Sequence, residues 1–420
     1  MKRIVFLIGT LLLISTMVVF GGGAQEDPGA AVEENAIRIG AIISLTGDEA
    51  EQSIEYKRAN DLLLPQLNAK GGIHGYPISL ISVDGQSKPE VHASKAHRLL
   101  ETENVVAGYG GSDISTATAA GKIFQDAETA FIDILGTTPT IPLVGDYMFM
   151  APGPDNNQGR AIAHYMYYEL GYDTVTIFKD VASSYGTKLT EYIIHFFKEV
   201  TGKEDPVPFI PAYNTGDDDY TAQLTRLKPK IEELGIQAIV LPTWPEDGPK
   251  IAKQARELGI ETPFIGCDGV DTEVLTKIGG DSVEGMLFSA LFSMNQPNLS
   301  DEIIAFSKEY KEKYGEEMGS AGAMAYDCLV IIKTAISSVI DEKGKSWWDT
   351  ADLADKRIAI RDMIAKSTFT ETTQPLSFTA EGAPTRGVVW KLVKNGERTY
   401  YDFQDYDDFT PPGTEVLPFR

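Results

Sequence analysis

Residues 67–75, LNAKGGIHG, bring a helix to an end on two consecutive glycines, and residues 76–84, YPISLISVD, continue at once as a strand. Glycine adopts the left-handed backbone that closes a helix C-terminus, and the apolar residue after it packs back on the last turn. Gly71 and Gly72 supply that closure and Ile73 the apolar cap, while Pro65 inside the helix is expected to kink it. The device recurs: YELGY, EELGI and RELGI end three further helices at Gly171, Gly235 and Gly259, followed by Tyr172, Ile236 and Ile260. A chain that must leave each helix this abruptly is alternating helices with strands.

The flanking sequence extends the alternation. IRIGAIISL (37–45) reads as a strand, 51–69 as a helix, PISLISVD (77–84) as a strand, 89–103 as a helix, VVAGY (105–109) as a strand, 115–127 as a helix and TAFIDI (129–134) as a strand. Continuous apolar strands alternating with helices indicate a parallel sheet covered on both faces, an α/β unit. The pattern restarts after APGPDNNQG (151–159), with strands at DTVTIF (173–178) and QAIVL (237–241) and helices at 184–200, 221–234 and 251–258. VEGMLF (283–288) follows, then helices at 300–314, 321–340 and 353–365, and a hairpin over 388–403 that turns at Asn395-Gly396. At 420 residues and 43% hydrophobic composition, two cores are expected instead of one.

Charge and targeting signals narrow the setting. With 61 acidic and 37 basic residues, the net charge of −24 repels nucleic acid phosphates and anionic lipids, which excludes nucleic acid as the main partner. Lys2 and Arg3 precede an apolar run from Ile4 to Phe20, and Gly22 and Ala24 offer small residues for cleavage. Residues 1–24 are therefore expected to be an export signal and 25–35 a linker, the alternative being an uncleaved anchor. No cysteine follows the apolar run, so the usual lipoprotein anchor is excluded; Cys267 and Cys328 are taken as free thiols.

Ligands of open α/β sheets bind beyond the carboxyl ends of the strands. The first-half loops there are Thr46–Gln52, GYGGSDIST (108–116) and ILGTTPT (134–140); those of the second half are DVASSYG (180–186), PTWPEDG (242–248) and GCDGV (266–270). GYGGSDIST approaches the dinucleotide glycine pattern, but Asp113 replaces the third glycine and repels a pyrophosphate, so the loop reads as a small-anion site at a helix start. Hydroxyls gather in the first set; Tyr185, Trp244 and Asp268 gather in the second. Facing each other across a cleft, they suit an amino acid. The acidic run Asp217–Asp219 lacks calcium-loop spacing and reads as the start of a helix. The five histidines show no metalloprotease pairing, no nucleophile elbow occurs, and GKS at 344–346 lacks the phosphate-loop glycine, so an enzyme is not expected and neither a metal nor a cofactor is invoked.

IRIGAIISLTG, LNAKGGIHG, DYTAQLTRLK, KQARELGI, GDSVEGMLF and QPLSFTAEG, in this order, resemble the periplasmic leucine/isoleucine/valine-binding proteins, type I receptors that feed ABC importers. The resemblance covers residues 36 to about 400 and includes the 20-residue spacing between TG and NAKGG. It implies two Rossmann-like lobes with parallel-sheet cores joined by a three-crossover hinge. Lobe 1 would hold 36–153 and 286–380, lobe 2 154–285 and 381–420, with crossovers near Gly153, Glu284 and Thr379. It also implies that Ser112 and Thr137 bind a ligand α-carboxylate, that Asp268 pairs with the α-ammonium, that Tyr185 and Trp244 close over the ligand, and that Leu135 contributes its carbonyl. Gln52 stands where the family has an aromatic contact, and Asp133, Ile134 and Gly136 depart from the family's small-residue turn. Asp155 fits either a hinge turn or the site. The implied function is that of a periplasmic, monomeric receptor that closes on its ligand and presents it to a membrane permease and ATPase. The alternative is a receptor of the same fold for an amide, urea-like or aromatic acid solute, or a sensor reporting to a signalling partner.

Overall fold

The computed structural model describes residues 35–47 and 49–410. The expected export signal, and the expected linker except Asn35, lie outside the described residues.

The first sheet is built from β1 (Ile37–Ile43), α1 (Ala50–Ala69), β2 (Ile78–Asp84), α2 (Pro89–His97), β3 (Ala107–Gly110), α3 (Ile114–Asp126), β4 (Phe131–Asp133) and β5 (Met148–Met150). Its five strands are all parallel, in the order β2-β1-β3-β4-β5. Alternate residues serve opposite faces: Ile132 enters one core and Phe131 the other, where its ring meets Phe124 at 4.7 Å. Pro65 lies inside α1, which continues past it to Ala69.

The second sheet follows from α4 (Asp155–His164), β6 (Val175–Ile177), β7 (Lys179–Asp180), α5 (Ser184–Thr201), β8 (Ala212–Tyr213), α6 (Thr221–Leu234), β9 (Ala238–Leu241), α7 (Asp247–Glu257), β10 (Phe264–Gly266), α8 (Glu273–Gly279) and β11 (Leu287–Ala290). The chain then returns to the first core as α9 (Asp301–Tyr314), α10 (Ser320–Lys343), α11 (Lys345–Thr350), α12 (Leu353–Lys366) and the small pair β12 (Thr368–Phe369) and β13 (Leu376–Ser377). It ends in β14 (Val388–Lys394), β15 (Glu397–Gln404) and α13 (Tyr406–Phe409), which extend the second sheet to the order β15-β14-β11-β10-β9-β6. α10 is long and apolar enough to cross a membrane, yet it is the buried helix of the first core.

The helix exits are built as the sequence predicts. Gly171, Gly235 and Gly259 have φ of 70°, 68° and 69°, and the amides of Tyr172, Ile236 and Ile260 return to carbonyls of the preceding turn at 2.8–2.9 Å. Asn395 and Gly396 both have positive φ, the conformation that a two-residue hairpin needs. Cys267 and Cys328 are unpaired and buried in different cores.

Two boundaries differ from expectation. Leu287–Ala290, assigned from the sequence to lobe 1, pairs with β10 and β14 of the second sheet. Both its faces are covered there, Leu287 by one core and Phe288 by the other, so the chain crosses after residue 290 and not near Glu284. The third crossover also comes later than Thr379. The Gly382 carbonyl still accepts from Met150 of β5, and Arg386 is ion-paired with the α10 residue Asp327, so the chain leaves lobe 1 only at 387. The strand β5 had no counterpart in the sequence reading.

Candidate functional site

The carboxyl ends of the two sheets carry the residues that the sequence singled out. On the second lobe, Tyr185 lies in the first turn of α5 and Asp268 in the turn after β10. The Tyr185 hydroxyl donates to Asp268 Oδ1 at 2.6 Å and accepts from the Gly269 amide at 3.2 Å. Gly269 is required for that approach: a Cβ there would stand 2.4 Å from the Thr243 carbonyl oxygen and 3.1 Å from the Tyr185 hydroxyl. Trp244 packs on Tyr185 with ring centroids 5.3 Å apart, donates from Nε1 to Ser183 Oγ at 3.0 Å, and keeps 38% of its surface exposed. Burial raises the Asp268 carboxyl above the usual range, against hydrogen bonding from Tyr185, Gln158 and Gly269.

Asp155 opens α4, directly after the first crossover. Its amide donates to the Thr137 carbonyl at 2.7 Å, its carboxyl lies beside the Thr137 hydroxyl, and its charged neighbour is Asp268. The side chain is buried, and Oδ1 carries no hydrogen bond among the described residues. Burial first, and Asp268 second, push its carboxyl well above the ordinary value. The structure therefore brings Asp155, Asp268, Tyr185 and Thr137 together. A second bridge between the lobes runs from Ser320 Oγ at the start of α10 to Asp271 Oδ2 at 3.1 Å, with Asp271 held by Lys391 and Arg398 at 2.7 Å each.

The first-lobe wall differs from the sequence picture of an open anion site. Asp113 caps α3, accepting from the Thr116 amide at 2.8 Å, so the helix start is already occupied by a carboxylate. Glu49 accepts from Ser44 Oγ at 2.7 Å and from Thr116 Oγ1 at 3.4 Å, and the Ser112 hydroxyl lies beside it. Ser44 also meets His92 Nε2 at 3.1 Å; burial lowers the His92 pKa to about 4, so the ring is neutral above that. Gln52 is half-buried on the first turn of α1, and Leu135 packs its side chain against the first core.

Sequence reasoning missed Glu49, Tyr56 and Asp133. Asp133 is fully buried at the end of β4, facing the amides of Leu135 and Gly136, with no well-formed hydrogen bond to either carboxylate oxygen. Burial, then Asp113, pushes its carboxyl well above the usual range. An acid inside the apolar strand TAFIDI was the available signal. Tyr56 follows Gln52 by four residues on α1 and so shares its helix face.

The periplasmic binding protein family model matches residues 36–380. A curated protein of Pseudomonas aeruginosa that binds leucine, isoleucine, valine, threonine and alanine is 24% identical over 371 residues, covering 88% of this chain and 90% of that one. The branched-chain amino acid transporter substrate-binding protein of Streptococcus pneumoniae, solved with isoleucine, superposes with a TM-score of 0.73 at 26% identity, over 88% of this chain and 99% of its own. A leucine-binding protein from Thermotoga maritima superposes with a TM-score of 0.74 at 24% identity, over 89% of this chain and all of its own, and shows the fold alone.

Proposed function

Since the chain belongs to the periplasmic binding protein family, we propose that it is the extracytoplasmic solute-binding subunit of an ABC importer, delivering a small amine-bearing solute to a permease driven by an ATPase. The relatives' names supply the amino-acid class. The observation that carries the reading is a buried Asp155 at the start of α4, whose Oδ1 has no hydrogen bond among the described residues and whose charged neighbour is Asp268, held by Tyr185 at the end of β10. Burial disfavours the charged form of both carboxyls, and an ammonium between them would favour it again. Tyr185 orients Asp268, and the exposed face of Trp244 covers the solute's apolar part. Thr137 contributes next to Asp155, while Ser112, Leu135 and Gln52 line the first-lobe side.

The mechanism is closure. The three crossovers let the lobes move as bodies, and a solute touching both favours the closed form by the contacts it gains there. No bond is broken, and the reading needs neither metal nor cofactor. Thermal-shift measurements against amino acids, amides and amines test it, since a ligand at 100 times its Kd adds about 2.7 kcal/mol to the folded state. Small-angle scattering of the best binder should show a smaller radius of gyration. If no compound raises the melting temperature and the scattering curves coincide, the reading fails.

A further inference from the structure

The donors that a ligand carboxylate would need on the first lobe are already given to the chain's own acids. The α3 start is closed by Asp113, whose carboxylate takes the Thr116 amide at 2.8 Å and the Thr116 hydroxyl at 2.8 Å. Ser44 and Thr116 serve Glu49 as well, and Ser112 lies against it. Asp133 stands behind them, and its charged neighbours are Asp113 and Glu49. A ligand carboxylate here would bring one more negative group to three.

Independently of the acids, the Tyr56 hydroxyl in the same place makes no well-formed hydrogen bond among the described residues, with the Ser112 hydroxyl beside it. The side chain is fully buried, with Glu49 and Asp133 as neighbours. A buried hydroxyl and a buried carboxyl without well-formed hydrogen bonds are costly, and such groups mark a missing ligand or water. Glu49, Asp133 and Tyr56 offer three acceptors, and an ammonium carries three N–H donors.

We propose that the solute presents a second cationic group to this first-lobe cluster, with Glu49, Asp133 and Tyr56 as its acceptors, so that the ligand carries two cationic groups spanning the cleft instead of the single one of a neutral zwitterion. This rests on the receptor reading above, in which Asp155 and Asp268 hold the first ammonium. A free diamine and a diamino acid share the chemistry.

Calorimetric titration of the full chain with 1,5-diaminopentane, lysine and leucine tests it. Either of the first two should bind at least about thirtyfold tighter than leucine, the lower end for one buried charge pair. The diamine binding alone points to a polyamine-type solute, and lysine binding more tightly points to a diamino acid. Glu49→Gln and Asp133→Asn should each lose that preference while leucine binding holds or improves. Leucine binding as tightly as both 1,5-diaminopentane and lysine overturns the inference and leaves the receptor reading standing, whereas no binding by any compound in the wider panel removes both. If a variant does not fold, the three unmodified titrations still decide.

Discussion

Replacing Asp268 by Asn separates binding from structure, because the two roles give opposite signs. Asparagine keeps the shape of the side chain and an oxygen for the Tyr185 hydroxyl, which approaches at 2.6 Å, so only the charge is lost. In the liganded protein that charge is half of a desolvated pair, and removing it should cost roughly 2–5 kcal/mol, about 30- to 5000-fold in Kd. In the ligand-free protein the same charge is buried and repelled by Asp271, and the variant should be at least as stable as its parent. The pH dependence follows from the same cause. A carboxyl raised above its ordinary value of 3.8 contributes stability below that value and loses it as pH rises through the raised pKa. Asp155, Asp133 and Glu49 are raised too and act in the same direction. The ligand-free parent should therefore melt at lower temperature at about pH 7 than at about pH 5, and the variant should fall less. Titration calorimetry and scanning calorimetry across that range measure both. Affinity within twofold of the parent, or a variant that melts lower in the absence of ligand, refutes the assignment.

Asp327→Asn should destabilise the fold by about 3–5 kcal/mol in urea denaturation, because it leaves the Arg386 guanidinium buried without its counter-charge; a loss below about 1 kcal/mol would refute the pairing as a structural anchor. Gly269→Ala should weaken ligand binding at least about tenfold, and cost about 1–3 kcal/mol of stability, by forcing Tyr185 or the Thr243 segment aside. Unchanged calorimetric affinity would show that Tyr185 and Asp268 are not held by that close approach.

Local chemistry was the legible part of the sequence. The helix-closing glycines and the Asn395-Gly396 turn are decided by the φ that their own residues adopt, and all were read correctly. The α/β alternation was equally open, because strands buried on both faces must be apolar throughout. β11 was misassigned because Leu287–Ala290 is apolar enough for either sheet; its place is fixed by pairing with β14, about a hundred residues on. β5 is three residues long and gave no periodic signal. The sheet-edge rule singled out Tyr185 and Asp268 from their loops alone, and the two side chains do meet. It did not single out Glu49, which lies in the same marked loop as Gln52 and accepts from Ser44 and Thr116. The hydroxyl of Ser112 was counted as available to a ligand, since nothing local shows that Glu49, from another loop, lies against it.

The second sheet is finished by a hairpin that follows β11 only after about a hundred residues. Until residues 388–404 emerge from the ribosome, β11 has an open edge, and Tyr165 lacks the Trp390 ring that stacks on it at 4.1 Å. An exposed apolar strand edge invites pairing with other chains, and a domain missing two strands has no stable core to protect it. The lobe that begins at Asp155 thus closes only once the β14–β15 hairpin is in place. That delay makes the β14–β15 hairpin the step on which the folding yield of this lobe depends.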